Sequence, residues 1–422
     1  MAGLLLAAYV VLRLLQLAAE ALLRRANRLY TLDPRRQDEA MRLLVIPRED
    51  MDRALAYAAD RYRFAQAADA IRVAAGLAFL AAGGLGWVES AARSLAGAAG
   101  LGSIAAGLAF FAILGLGAAI LGLPFGLYHT FRIEQKHGFN RQTVRGFFQD
   151  FAKGLALAAV LGGIVLLAVL WLMRGGGRWW WAWAWAATSA FSVLAAWIYP
   201  TLLAPIFNRF TPLPEGELKE RIRALGERIG FHARGVYVMD ASRRTAHGNA
   251  YFTGLGRAKR IVFFDTLIQR LLPPEIEAVL AHELGHFKLK HIAKRLAFSF
   301  FASLAVLALL GWLVTKPWFY IGLGVEPSFG GANYGIALVL FMLVMPVFTF
   351  VFAPLASMMS RKHEFEADQF AARNASAPDL VNALVKLYED NASTLTPDPI
   401  HSAFYDSHPP ASIRIQRLLP AT

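Results

Sequence analysis

The stretch GLALAAVLGGIVLLAVLWLM, residues 154–173, contains no charged side chain. A helix needs roughly 20 apolar residues to cross the hydrocarbon core of a bilayer, so this stretch predicts a membrane span. Six further apolar blocks predict spans at about 3–23, 69–88, 104–129, 178–206, 297–314 and 335–356. A chain that is 56% hydrophobic and only 17% charged is not an ordinary soluble protein. The expected fold class is mainly α, a polytopic membrane protein with about seven transmembrane helices in a lipid bilayer.

The formal net charge is +13, but the basic residues do not form the single aromatic-interleaved stripe of a nucleic-acid-binding protein. They gather in alternate loops, chiefly at 24–36 and 132–145. The connections after the second, fourth and sixth blocks carry few basic residues. The positive-inside rule therefore predicts an external N-terminus, and a cytoplasmic location for the large polar insertion and the C-terminus. No nucleic-acid partner is expected.

The membrane blocks divide the chain into four regions. We expect an N-terminal membrane region of five helices with basic loops at 1–206, a large polar insertion at 207–296, two membrane helices at 297–356 and a C-terminal segment at 357–422. In the insertion, a charged amphipathic helix is predicted at about 215–229 and a strand at 236–238. Residues 249–264 predict a hairpin whose turn holds Gly254 and Gly256.

The sequence HELGH, His282 to His286, follows a Pro-Pro pair that predicts the first turn of a helix. Four residues advance a helix by about 400°, so His282 and His286 project from nearly one face and can bind one metal ion. The chain has no cysteine, so its metal ligands must come from histidine and carboxylate side chains. The pattern predicts one zinc ion per chain.

Glu283 falls within the apolar arc of this helix, where a solvated surface helix would not place a carboxylate. A carboxylate partly withdrawn from water is a stronger base, which suits proton abstraction from water. We therefore predict that Glu283 is the general base of a hydrolase. A non-catalytic transporter or scaffold with a structural metal would instead need four protein ligands and no base.

A catalytic zinc site usually has three protein ligands, so H-E-x-x-H requires a third. His291 lies five residues beyond the pattern and would project from another face of a continuous helix, which disfavours it. The segment SRKHEFEAD, residues 360–368, follows the last membrane block. Two membrane crossings return that segment to the side of the H-E-x-x-H helix. Spacing alone leaves His363, Glu364 and Glu366 as candidates.

Several segments together resemble the type I CAAX prenyl protease family of gluzincin metalloproteases. Besides the H-E-x-x-H helix they include YHTF (128–131), KHGFN (136–140), APIF (204–207), FTPLPEG (210–216), NAYFTG (249–254), EFEAD (364–368) and SHPP (407–410). The segments occur in order along most of the chain, and the resemblance is weakest at about 69–125. It implies seven helices around a water-filled chamber, capped by a small zincin-like α+β catalytic domain. The insertion after helix 5 and the C-terminal segment would form that domain together.

The family pattern implies a role for each matching residue. Glu364 would be the third zinc ligand, and Asp368 would orient a ligating histidine from the second shell of the site. Asn249 and Ala250 would lie on an edge strand that aligns the substrate backbone by strand addition.

His408 and Arg414 match the family's C-terminal residues near the zinc. There they would stabilise the oxyanion of the tetrahedral intermediate or hold the third ligand. For His408 the alternative is a turn residue before two prolines. The implied reaction is peptide hydrolysis without a covalent intermediate: zinc acidifies a water molecule, and Glu283 accepts its proton and passes it to the leaving amine.

The expected function is that of a CAAX prenyl protease-like zinc metalloendopeptidase at the cytoplasmic membrane face. Its substrates would be peptides or proteins, prenylated or membrane-associated. An HtpX-type membrane quality-control protease is the alternative with similar chemistry, but such proteins are shorter and have fewer spans. Site-two intramembrane proteases carry H-E-x-x-H within an apolar span, whereas Lys288 and Lys290 follow it here. The alanine- and arginine-rich composition predicts a bacterial source and hence the bacterial cytoplasmic membrane.

Overall fold

The computed structural model describes residues 2–231, 235–253, 260–323, 325, 334–391 and 395–419. In the described residues the first eight helices are α1 Ala2–Thr31, α2 Pro34–Leu44, α3 Arg48–Ala81, α4 Gly84–Ala98, α5 Ser103–Tyr128, α6 Val144–Gly175, α7 Trp180–Ile198 and α8 Ala204–Phe207. The later helices are α9 Glu217–Arg228, α10 Asp265–Arg270, α11 Pro273–Lys288, α12 His291–Leu313, α13 Pro317–Ile321, α14 Tyr334–Thr349, α15 Ala353–Asn374, α16 Ala377–Asp390, α17 Pro399–Tyr405 and α18 Ala411–Leu418. The strands are β1 Phe210–Pro212, β2 Gly235–Met239, β3 Ala250–Thr253 and β4 Arg260–Phe264.

Seven helical stretches in the described part of the chain are long and apolar enough to cross a membrane. They are Leu5–Thr31, Arg48–Ala81, Ser103–Glu134, Val144–Gly175, Gly177–Phe207, His291–Leu313 and Tyr334–Asn374. Large apolar side chains such as Leu15, Trp171 and Phe301 are more than half exposed, which lipid tolerates and water does not. The number and order of the stretches match the seven predicted blocks. The mainly α, polytopic fold class is therefore confirmed.

The predicted boundaries of the second membrane block were wrong. Hydropathy placed it at 69–88, but α3 ends at Ala81 and α4 begins at Gly84. Gly83 has a φ of 69°, a left-handed conformation that glycine adopts without steric cost and that interrupts the helix. In the other direction α3 begins at Arg48, because helical hydrogen bonding continues through charged residues that a hydropathy window excludes.

The last membrane helix runs directly into the C-terminal segment. Helix α14, a 3₁₀ turn at Phe350–Phe352 and α15 form one stretch, Tyr334–Asn374. Pro346 lies in the last turn of α14, and Pro354 lies in the first turn of α15. A helix of this length spans about 60 Å, twice the roughly 30 Å of a hydrocarbon core. One membrane crossing therefore requires only about half of the stretch. Glu364 lies in the remaining, C-terminal half.

The described strands form one mixed sheet in the order β1-β2-β4-β3. Strands β2 and β4 are parallel, and β3 pairs antiparallel with β4, with Ala250 opposite Phe263. The predicted strands at 249–252 and 261–264 are thus confirmed, whereas Gly254 and Gly256 lie outside the described residues. Strand β1 was not predicted, since three residues are too few for a period-two pattern. Strand β3 forms one edge of the sheet.

One buried apolar core joins the sheet, α9, α11, α16 and α18. Ala40, Leu44 and Met51, from α2 and the start of α3, belong to the same core and are at most 3% exposed. The sequence analysis had assigned these residues to the N-terminal membrane region, 1–206. Helix α2 packs instead on the insertion, because it is amphipathic and can bury one face there.

Candidate metal centre

Helix α11 is held firmly at both its start and its apolar face. The Leu272 N–H donates to the Glu275 carboxylate at 2.8 Å, and Lys386 Nζ donates to both oxygens of that carboxylate. Leu280 and Leu284 are each 1% exposed. Packing of this kind fixes the rotation of the helix, and with it the direction of the side chains between them.

Gly285 allows α15 to approach α11 closely. A Cβ atom at this position would lie 3.1 Å from Ala367 Cα and 3.1 Å from Phe370 Cβ. Any larger residue would push the two helices apart by a few tenths of an ångström. The glycine in HELGH therefore brings Glu364, on α15, within reach of the two histidines on α11.

The structure brings together three of the predicted ligand residues. His282 Nε2 lies 3.2 Å from His286 Nε2 and 3.4 Å from Glu364 Oε2. His286 Nε2 lies 3.3 Å from Glu364 Oε1. His282 and Glu364 are buried, and His286 is partly buried. The neighbouring candidates His363 and Glu366 contribute no atom to this group.

The separations within this group fit a tetrahedral ion. With metal–ligand bonds of 2.0–2.1 Å, as zinc forms with imidazole and carboxylate, any two ligand atoms lie about 3.3 Å apart. The two imidazole Nε2 atoms lie 3.2 Å apart, and each lies 3.3–3.4 Å from one oxygen of Glu364, Oε2 for His282 and Oε1 for His286, so all three distances are close to that value. Calcium and magnesium prefer six or more oxygen ligands, so two imidazoles and one carboxylate do not suit them.

Asp368 and Arg414 support His282 from its other ring nitrogen. His282 Nδ1 lies 2.8 Å from Asp368 Oδ1, and Arg414 donates to both oxygens of Asp368 at 2.8 and 2.6 Å. Burial alone would lower the pKa of His282, yet the hydrogen bonds to Asp368 and Glu364 raise it to about 9. The surroundings of His282 therefore favour positive charge. The structure places Arg414 against Asp368 and not against the third ligand.

His286 has a different partner, which the sequence interpretation did not predict. Its Nδ1 lies 3.0 Å from His291 Nδ1. Lys290 has a φ of 58°, a left-handed conformation that separates α11 from α12. That turn directs His291, the first residue of α12, back toward His286. The expectation that His291 lies on another face assumed a continuous helix, and a left-handed lysine leaves no signal in the sequence.

His408 contacts the ligand set from the solvent side. Its Nδ1 lies 2.8 Å from Glu364 Oε2, and its side chain is 64% exposed. The structure thus places His408 beside Glu364, as the resemblance implied.

A cavity of about 700 Å³ opens beside the ligand group. Glu283, His282 and His408 line it, together with Asn249 and Ala250 of the edge strand. Glu283 is half-buried, as its place in the apolar arc predicted. The residue predicted to be the base and the strand predicted to bind substrate therefore face the same space.

On the outer edge of β3, one backbone N–H is hydrogen-bonded to the side chain of the residue that precedes the strand. The Ala250 N–H donates to Asn249 Oδ1 at 2.8 Å, while the Asn249 carbonyl accepts from the Phe264 N–H at 3.0 Å. Asn249 is exposed. A peptide that added to this edge would take over the Ala250 N–H from the asparagine side chain.

A polar network that sequence reasoning missed lies next to this strand. Glu134 accepts from the Tyr57 hydroxyl at 2.5 Å, and its other oxygen lies 3.3 Å from His247 Nε2. His247 Nδ1 lies 2.9 Å from Asn391 Oδ1. The network connects α3 and the π-helical turn His129–Glu134, which follows α5, with the residues just before β3. Glu134 follows an apolar span at no recognisable spacing, so no pattern could have indicated it.

The chain resembles proteins of one kind along most of its length. Residues 39–209 match the profile described as CAAX prenyl protease N-terminal, five membrane helices, and residues 212–422 match peptidase family M48. It is 37% identical over 399 residues to the CAAX prenyl protease 1 homolog of Oryza sativa subsp. japonica, covering 91% of this chain and 92% of the relative. The corresponding human protein is 34% identical over 341 residues, 71% of each chain.

A solved structure agrees with these similarities. The crystal structure of S. mikatae Ste24p superposes with a TM-score of 0.89 at 30% sequence identity, covering 97% of each chain.

Proposed function

Since the chain belongs to peptidase family M48 and shares the N-terminal membrane region of the CAAX prenyl proteases, we propose that it hydrolyses peptide bonds with one zinc ion held by His282, His286 and Glu364. Membership makes it an integral, multi-pass membrane metalloendopeptidase that acts on peptides or proteins. The HtpX-type alternative is less suitable, because the similarity to CAAX prenyl proteases includes the membrane region.

One observation carries the proposal. The two imidazole Nε2 atoms lie 3.2 Å apart, each has a Glu364 oxygen at 3.3–3.4 Å, and Glu283 lines the cavity that adjoins these residues. This combination suits a catalytic centre better than a structural metal site, because a structural zinc site is closed by a fourth protein ligand.

Each nearby side chain then has a task in hydrolysis. When bound, zinc supplies a Lewis acid that acidifies water and polarises the peptide carbonyl. Glu283 accepts the proton of the attacking water and returns it to the leaving amine nitrogen. Asp368 and Arg414 hold His282 in the orientation in which Nε2 faces the ligand group. We assign to His408 the stabilisation of the developing oxyanion, since it lies on the cavity and beside Glu364.

Substrate recognition at β3 involves mainly backbone atoms. A bound peptide would accept a hydrogen bond from the Ala250 N–H after Asn249 Oδ1 releases it. Backbone pairing does not read a prenyl group. The zinc centre itself therefore does not require a prenylated substrate.

We place the centre on the cytoplasmic side of the membrane, because the basic loops alternate with loops poor in arginine and lysine. The alanine- and arginine-rich composition favours a bacterial source. The basic residues are spread over those loops and form no nucleic-acid-binding stripe. The partners proposed are thus the bilayer and peptide substrates.

Cysteine labelling tests this orientation in a chain that has no cysteine of its own. Gly175, the last residue of α6, has room for a side chain, and Gln416 on α18 is exposed. We expect a membrane-impermeant maleimide to label the Gly175→Cys variant in intact cells. The Gln416→Cys variant should react only after permeabilisation. The reverse pattern would move the centre to the outer face.

A peptide assay tests the proposed activity and its substrate range. We expect the purified protein in detergent to cleave both a prenylated CAAX-type peptide and an unprenylated apolar peptide of the same sequence. The lipid should change KM more than kcat, because it lies away from the reacting carbonyl. The Glu283→Gln protein is the blank. Strict dependence on the prenyl group would contradict this prediction, and cleavage of neither peptide would contradict the proposed function.

A further inference from the structure

A second group of titratable side chains lies against His286. His286 Nδ1 is 3.0 Å from His291 Nδ1, and His291 Nε2 is 2.9 Å from Glu366 Oε2. His291 is 1% exposed, whereas the Glu366 side chain is 35% exposed. The contacts thus lead from a proposed metal ligand, through a fully buried imidazole, to a carboxylate at the surface.

This group does not form a second metal site, although His291, His363 and Glu366 offer ligand atoms close together. The rings of His291 and His363 stack with centroids 4.1 Å apart and planes inclined by 11°. The lone pairs of an imidazole lie in the ring plane, so two stacked rings direct them in parallel and not toward one ion. In addition, both nitrogens of His291 already contact other side chains.

Only one arrangement of ring protons satisfies all these contacts when His286 is a ligand. His286 can offer a lone pair on Nε2 only if its proton is on Nδ1, from which it donates to His291 Nδ1. His291 must then carry its own proton on Nε2, where it donates to Glu366. Each hydrogen bond determines the tautomer of the next ring.

We infer that His291 is a positioning residue for the metal ligand His286, and that Glu366 fixes the tautomer of His291. The inference rests on the metal ligation proposed above. Partners that hold a ligating histidine through its second nitrogen fix its orientation, and their loss typically costs about 10–100-fold in metal affinity. His282 has such a partner in Asp368, and His286 has one in His291.

Zinc affinity of the purified full-length protein in detergent tests this role, measured by competition with a chelator. We expect His291→Phe to raise the zinc Kd about 10–100-fold, because it keeps the volume but removes the acceptor. His291→Asn should recover part of the loss, since the asparagine oxygen can occupy the place of Nδ1. Glu366→Leu should raise Kd by less than His291→Phe. The matched control is His363→Phe, which keeps the stacked ring and leaves Kd as in wild type.

The melting temperature of the metal-free proteins distinguishes a loss of ligand positioning from a loss of packing. We expect the same melting temperature for His291→Phe and His363→Phe. A zinc Kd of His291→Phe within about threefold of wild type would overturn the inference. Equal increases for His291→Phe and His363→Phe would also overturn it. If His291→Phe does not fold, Glu366→Leu and His291→Asn provide the test. A zinc Kd unchanged from wild type in both variants refutes the positioning role of His291. Failure of the wild type to bind zinc would instead refute the ligand set.

Discussion

The Glu283→Gln variant is expected to keep its zinc and to lose kcat by about 10²–10⁴-fold. Glutamine has the shape of glutamate but cannot accept the proton of the attacking water. Glu283 contributes no atom to the ligand group, so metal binding should not change. Initial rates with the unprenylated peptide and metal analysis of the same sample measure both quantities.

Glu277→Gln is a matched control on the same helix. Glu277 forms ion pairs with Arg221 and Arg228 of α9 and does not line the cavity. Losing partly exposed ion pairs of this kind costs on the order of 1 kcal/mol or less of stability. Activity should therefore stay near that of wild type. Loss of a general base is expected to cost more than about tenfold in kcat. A Glu283→Gln variant with a kcat within about tenfold of wild type would therefore assign the base to another residue.

The Glu364→Ala variant is expected to lose zinc, and activity with it. Removing one of three ligands should weaken binding by more than the roughly 10–100-fold that follows loss of an outer partner. Glu364 is also 3% exposed and lies between both histidines, so no other carboxylate can replace it without rearrangement. Metal content after dialysis against a chelator measures the effect.

Glu366→Gln provides the comparison for that experiment. It changes a carboxylate two residues along the same helix but keeps an acceptor for His291. Stoichiometric zinc is expected in this variant. If Glu364→Ala kept its zinc while Glu366→Gln lost it, Glu366 would be the third ligand and the proposed set would be wrong.

The membrane helices were predictable from the sequence because the signal is local: roughly 20 apolar residues in a row suffice. Helix α3 marks the limit of that signal. Hydropathy detected only its apolar second half, since the first half carries charged residues. The break at Gly83 lies inside an apolar run, where hydropathy does not change.

The metal centre was predictable in part. His282 and His286 are one helical turn apart, so their meeting follows from helix geometry alone. Glu364 lies two membrane helices later, and spacing did not distinguish it from His363 and Glu366. The structure selects Glu364 as the neighbour through the close approach of α15 at Gly285, a tertiary feature that no local pattern encodes.

The helix from Tyr334 to Asn374 has a mechanical consequence. Prolines 346 and 354 cannot donate backbone hydrogen bonds, and the 3₁₀ turn at Phe350–Phe352 lies between them. The stretch therefore consists of two regular helices joined by a more flexible junction. Bending concentrates where the hydrogen-bond ladder is weakest. We therefore expect a tilt of the membrane-spanning helix to be taken up at the 3₁₀ turn, so that the helix bearing Glu364 keeps its packing against α11.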